Sequence, residues 1–161
     1  MSPEKLTPPE RIILLTLARE SIERAVQRQD LPAIILEELP RALQAPGATF
    51  VTLTRFGQLR GCIGTLEAYQ PLALDVREHA VAAATQDFRF SPVTLVELGQ
   101  IEIEISRLTP PVHLTYDQPE DLPKLLRPGL DGVVLRDGYQ RATFLPQVWE
   151  QLPNPHDFLS H

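Results

Sequence analysis

The side chains richest in chemistry gather at Leu59-Arg60-Gly61-Cys62-Ile63-Gly64-Thr65. This stretch holds the single cysteine, framed by two glycines and preceded by an arginine. A thiol attacks as its thiolate, so a reactive cysteine needs access and a nearby cation or base. Arg60 is the adjacent cation and the candidate anion anchor. Neighbours in a straight strand point to opposite faces, so Arg60 meets the thiol only where a bulge turns it. With Cys62 as nucleophile or redox thiol, Glu67 and His79 are the proton-transfer candidates. A structural reading stands beside this one. Free cysteine is among the most buried residue types, and His79 lies in the apolar part of a helical pattern.

Other groups surround this stretch. Arg60-Gly61 and Gly64-Thr65 can offer backbone amides to an anion. Asp75, Glu78 and Asp87 add carboxylates, which divide acid and base roles only if one is desolvated. Glu102 and Glu104 share one face of a strand and are either the wet side of a sheet or part of a polar site. His79, His113, His156 and His161 show no short metal-ligand spacing, so no metal or cofactor is expected. Neither a Rossmann fingerprint nor a phosphate-cradling glycine loop is present. Arg127, Arg136 and Arg141 bracket a later hairpin, as carboxylate readers or as solvated edge charge.

Composition limits the partners. The 161 residues carry 21 acidic and 15 basic side chains, a formal charge of -6, which disfavours a broad nucleic-acid surface. One cysteine excludes an internal disulfide and fits a reducing, cytoplasmic setting. Met1-Ser2-Pro3-Glu4-Lys5 does not lead into an apolar signal segment, and no apolar run reaches membrane-spanning length. The 16 prolines fall between elements and mark their boundaries.

The elements that must position Cys62 are legible. Thr7-Pro8-Pro9-Glu10 is a capping box, and the apolar spacing from Ile13 to Val26 predicts a helix. Leu36, Leu39 and Leu43 belong to a proline-flanked connector. Thr49 to Leu53 reads as a strand, Phe56-Gly57-Gln58 as its turn, and Gln58 to Ile63 as the returning strand. Pro71 opens a second helix whose alanines predict close packing. Asp87 to Pro92 is a loop with aromatic anchors. Ile101-Glu102-Ile103-Glu104-Ile105 alternates with period two, predicting a one-sided sheet. Asp117 to Leu126 is turn-rich, Gly129 to Leu135 enters a strand, Asp137-Gly138 signals a hairpin, and Pro146 to Leu152 turns helically. Phe88, Phe90, Phe144, Trp149 and Phe158 are read as core or lobe-joining residues rather than nucleobase platforms. The pattern predicts an α+β fold with a mainly antiparallel sheet and flanking helices.

With these blocks in view, the chain resembles the AMMECR domain family, protein A of the AmmeMemoRadiSam system. The resemblance rests on Leu59 to Thr65, Asp87-Phe88-Arg89-Phe90, Leu108-Thr109-Pro110-Pro111, Leu126 to Gly132, and Arg141 to Trp149. It implies one domain over residues 1–161, built as a larger and a smaller lobe with a cleft between them. It implies genomic association with a Memo-like protein and a radical SAM protein, hence an accessory or binding role in a modification system. It names no reaction. A cysteine-dependent enzyme acting in the cleft on a modified nucleotide, RNA or small metabolite is the alternative. Arg60, Gly61, Gly64, Thr65, Asp87 and Arg89 become the ligand- or partner-binding candidates. Similar proteins continue past the match to Phe158-Leu159-Ser160, so a further C-terminal segment is expected of them.

Overall fold

The computed structural model describes residues 4–160. The fold is α+β, and the chain divides into two compact units, Met1–Pro111 and Val112–His161.

In the first unit, helix α1 spans Pro8–Val26. Its N-terminus is closed reciprocally: Glu10 N–H donates to Thr7 Oγ1 at 3.4 Å, and Thr7 N–H donates to the Glu10 carboxylate at 2.7 Å. Prolines in its first turn forfeit no helical hydrogen bond. Leu14, Ala18, Ser21 and Ile22 form the buried stripe. A short 3-10 helix, Leu36–Glu38, and helix α2, Arg41–Gln44, make the connector to the sheet.

Strand β1 covers Ala48–Arg55 and β2 covers Gln58–Gly64. The two-residue turn Phe56-Gly57 has φ of 52° and 76°, the positive values that match the twist of a tight hairpin. Helix α3, Leu72–Thr85, and a 3-10 helix, Leu95–Gln100, precede strand β3, Ile101–Leu108. The sheet order is β2-β1-β3, antiparallel throughout.

The alternation of β1 sorts the two faces. Thr49, Val51 and Leu53 are fully buried, and Val51 and Leu53 join the core formed with α1 and α3. Ile101, Ile103 and Ile105 pack against that same core, while Glu102 and Glu104 are exposed on the opposite face. Close approach of α3 to β2 depends on Gly61. A Cβ there would lie 2.2 Å from the Ala83 carbonyl oxygen.

The second unit holds a short 3-10 helix, Pro119–Asp121, helix α4, Leu122–Leu125, and a hairpin of β4, Val133–Asp137, with β5, Gln140–Phe144. A 3-10 helix, Pro146–Glu150, and helix α5, Pro155–Ser160, follow. Trp149 stacks on Phe158 at 3.8 Å between ring centroids, and Phe144 tilts against Phe158 at 5.3 Å. The indole N–H of Trp149 donates to the Asp131 carbonyl at 2.7 Å, so its one polar atom is satisfied.

Three local expectations change. The hairpin turn is Gly138-Tyr139, one residue later than Asp137-Gly138, because Asp137 already pairs with Gln140. Strand β4 begins at Val133, after the turn that Arg127 and Asp131 close by hydrogen bonding. Phe88 is no anchor: it is 95% exposed, on a loop whose neighbours Asp87 and Arg89 face β2 instead.

Candidate functional site

Cys62 lies near the end of β2, opposite Thr52 of β1. Its backbone N–H and C=O point away from β1, toward the loop that follows α3. The N–H donates to Asp87 Oδ2 at 2.9 Å, and the carbonyl accepts from Arg89 at 3.2 Å. An antiparallel pair with its backbone groups turned outward brings its side chains closest together. Accordingly Thr52 Oγ1 and Cys62 Sγ are 3.3 Å apart. The thiol is half-buried and sits on the sheet face that also carries Glu104, the partner of Thr52 on β3.

Asp87 and Arg89 thus act together as a substitute strand. Arg89 donates to both carboxylate oxygens of Asp87, at 2.7 and 3.0 Å. The Asp87 side chain is 2% exposed and that of Arg89 46%. Hydrogen bonds from Arg89 hold the Asp87 carboxyl far below the usual carboxylate range, against the opposing pull of burial. The edge of β2, which would otherwise expose unpaired donors and acceptors, is covered at Cys62.

Arg60, two residues earlier, ties β2 to the segment before β3 through its side chain. It donates to both oxygens of Glu97, at 2.9 and 3.1 Å, and to the carbonyls of Ser91 and Pro92. The pairing of β1 with β2 shifts between Leu53 and Thr54, and this bulge lies beside Arg60. It aims the guanidinium at Glu97. Glu97 in turn accepts the N–H and hydroxyl of Thr94, capping its own 3-10 helix. Hydrogen bonds from Arg60 lower the Glu97 pKa to about 2, with burial acting in the opposite sense.

The glycines answer to sterics. Gly61 receives α3, and a Cβ at Gly64 would strike the Thr49 carbonyl and the Phe50 ring at 2.2 and 2.4 Å. Thr65 continues the ladder by donating its N–H to the Thr49 carbonyl at 3.0 Å. Its hydroxyl and the Glu67 backbone exchange long contacts of 3.4 Å, and Glu67 is exposed on the connection to α3.

His79 belongs to a different group, on the helix-covered side of the sheet. Its Nδ1 lies 3.1 Å from Asp75 Oδ2, and both side chains are buried. That same oxygen accepts the N–H and hydroxyl of Thr49 at 2.8 and 2.6 Å. Burial pushes the Asp75 carboxyl upward, but hydrogen bonds from His79, Thr49 and Gln70 outweigh it and leave the pKa lowered. The sheet therefore separates His79 from the thiol face of Cys62. Structure brings together Arg60 with Glu97, and Cys62 with Asp87, Arg89 and Thr52. It leaves Glu67 and His79 apart from them.

Glu97, Thr52 and the Asp75–His79 pairing were missed in sequence. The last had a signal, since residues four apart on a helix are neighbours. Glu97 had a weaker one in Thr94-x-x-Glu97. His113 and His156 are exposed, and His161 lies outside the described residues. Among the described residues, no helix is long and apolar enough to cross a membrane.

The sequence pattern that defines AMMECR1 matches residues 15–161. A protein of Methanothermobacter thermautotrophicus is 42% identical over 138 residues, covering 84% of this chain and 70% of the relative. Protein MJ0810 of Methanocaldococcus jannaschii is 36% identical, covering 89% of this chain and 71% of its own length. The crystal structure of the uncharacterized protein PH0010 from Pyrococcus horikoshii has the same fold. Its TM-score is 0.87 at 31% identity, covering 98% of this chain and 79% of that one.

Proposed function

The chain belongs to the AMMECR1 family, and from that premise we propose that it is a binding or accessory component of a modification system containing a Memo-like protein and a radical SAM protein. One observation carries this reading. The charged groups nearest Cys62 are committed to holding β2 in place: Asp87 takes its N–H, Arg89 takes its carbonyl, and Arg60 is bound to Glu97. Such a network produces a rigid strand and a fixed polar face bearing Thr52, Cys62, Glu102 and Glu104. A preorganised face lowers the ordering cost of docking a partner.

The test is co-purification with the Memo-like and radical SAM proteins in pairs and as a ternary mixture. Association that survives Cys62→Ser and is weakened by Glu104→Lys is the expected result. Lack of association in every mixture overturns the reading.

A cysteine-dependent reaction is the second reading, favoured by the half-buried thiol beside Thr52, on a residue whose carbonyl accepts from the Arg89 guanidinium. It requires thiolate character. Alkylation of Cys62 measured across pH, with Cys62→Ser as control, separates the two. A rate plateau well below the ordinary thiol pKa supports the enzyme. A thiol that titrates as a free cysteine supports the accessory role.

A further inference from the structure

A cavity of about 470 Å³ opens beside α3, away from the thiol face. Its size is in the range of small-molecule sites. Leu31, Ile63, Leu74 and Val81 supply apolar wall, and Ile63 comes from the same motif as Cys62. His79 lines it as well, with a side chain 6% exposed.

The imidazole is held in place through one ring nitrogen. Asp75 is an ionised acceptor, so Nδ1 carries the proton and donates to it. Asp75 is itself held by Thr49 and Gln70. Nε2 is the remaining polar atom of the ring. It has no hydrogen-bond partner among the described residues and is not sealed in the interior. A ring nitrogen oriented by a carboxylate behind the ring, with no partner of its own, is placed to hydrogen-bond a ligand.

The rim fixes the kind of ligand. Gln70 gives its amide N–H groups to Glu78, Tyr69 and Asp75, which leaves its carbonyl oxygen as an acceptor. Arg77 donates to the Pro32 carbonyl at 2.7 Å, and Glu78 beside it supplies the opposite charge. Acceptors predominate, formal charge at the rim cancels, and one wall is apolar. We infer that this cavity binds a small uncharged molecule of nucleoside size that hydrogen-bonds to His79 Nε2 and rests an apolar face on Leu74 and Ile63. The site is independent of the accessory reading, because neither Cys62 nor Asp87 lines it.

The test uses adenosine and uridine as probes and glucose as a hydroxyl-rich control that lacks a flat apolar face. The methyl signals of Ile63, Leu74 and Val81 and the ring signals of His79 are followed by NMR in the full chain. The nucleosides are expected to shift all four sets together at about 1 mM, and glucose to shift none. His79→Phe removes the hydrogen-bonding nitrogen and is expected to weaken binding about tenfold. Ala82→Leu fills the cavity without touching the His79–Asp75 pair and is expected to abolish the shifts even if His79→Phe fails to fold. Silence of all four sets up to about 10 mM nucleoside overturns the inference. Unchanged binding by Ala82→Leu, or by a folded His79→Phe, overturns it too.

Discussion

The Asp87 carboxylate stands 2.9 Å from the backbone nitrogen of Cys62 and closes the open edge of β2 at that residue. With Arg89 on the adjoining carbonyl, two side chains satisfy both outward backbone groups of one strand residue. The motif around the cysteine is thereby an architectural joint, whatever the thiol does.

Asp87→Ala leaves the Cys62 N–H without its acceptor and Arg89 without its partner. Removing one member of a buried charged network strands the other groups. A loss on the order of 2 kcal/mol is expected in denaturant unfolding, discounted because Arg89 is partly exposed. An unchanged midpoint would show that the edge bond contributes nothing.

Glu97 sets an acid limit. Its folded pKa, about 2, lies below its ordinary value of 4.5. A depressed carboxyl stabilises the fold fully above the unfolded pKa, and that contribution is lost as pH falls through the folded one. Thermal stability should therefore fall between about pH 4.5 and pH 2, and Glu97→Gln should flatten that portion of the curve. The contribution is on the order of 2 kcal/mol. Parallel curves for the two proteins would contradict it.

Gly61→Ala forces a methyl group onto the Ala83 carbonyl, a backbone atom with no freedom to rotate away. Separation of α3 from β2 should cost roughly 2 kcal/mol or more. Gly57→Ala meets no atom within 4 Å, but its φ of 76° is strained for alanine, at about 1 kcal/mol. Chemical denaturation of the two variants should rank them in that order.

Trp149 is the single tryptophan and stacks on Phe158, so its fluorescence reports the second unit. Phe158→Ala removes a fully buried ring that also touches Phe144. A loss of about 3–5 kcal/mol is expected in the transition that this fluorescence follows. Retention of the wild-type midpoint would mean that the aromatic cluster is not the core of that unit.

Sequence by itself determined the elements whose causes are local. Thr7 and Glu10 cap a helix three residues apart, the Ile–Glu alternation from 101 to 105 assigns one strand's faces, and Pro71 starts α3. The family was legible for the same reason, since its blocks are contiguous. Tertiary structure alone decided the partners of Arg60 and Cys62. Glu97 is 37 residues from Arg60, and Asp87 is 25 from Cys62. Period-two alternation shows that neighbouring strand residues face opposite ways, but not which way the sheet edge turns or what covers it. That depends on α3 returning the chain along β2, a long-range packing event set by Gly61 and the alanines of α3. The same event placed His79 behind the sheet, beside Asp75 and a cavity, where its nearness in sequence to Cys62 has no chemical meaning.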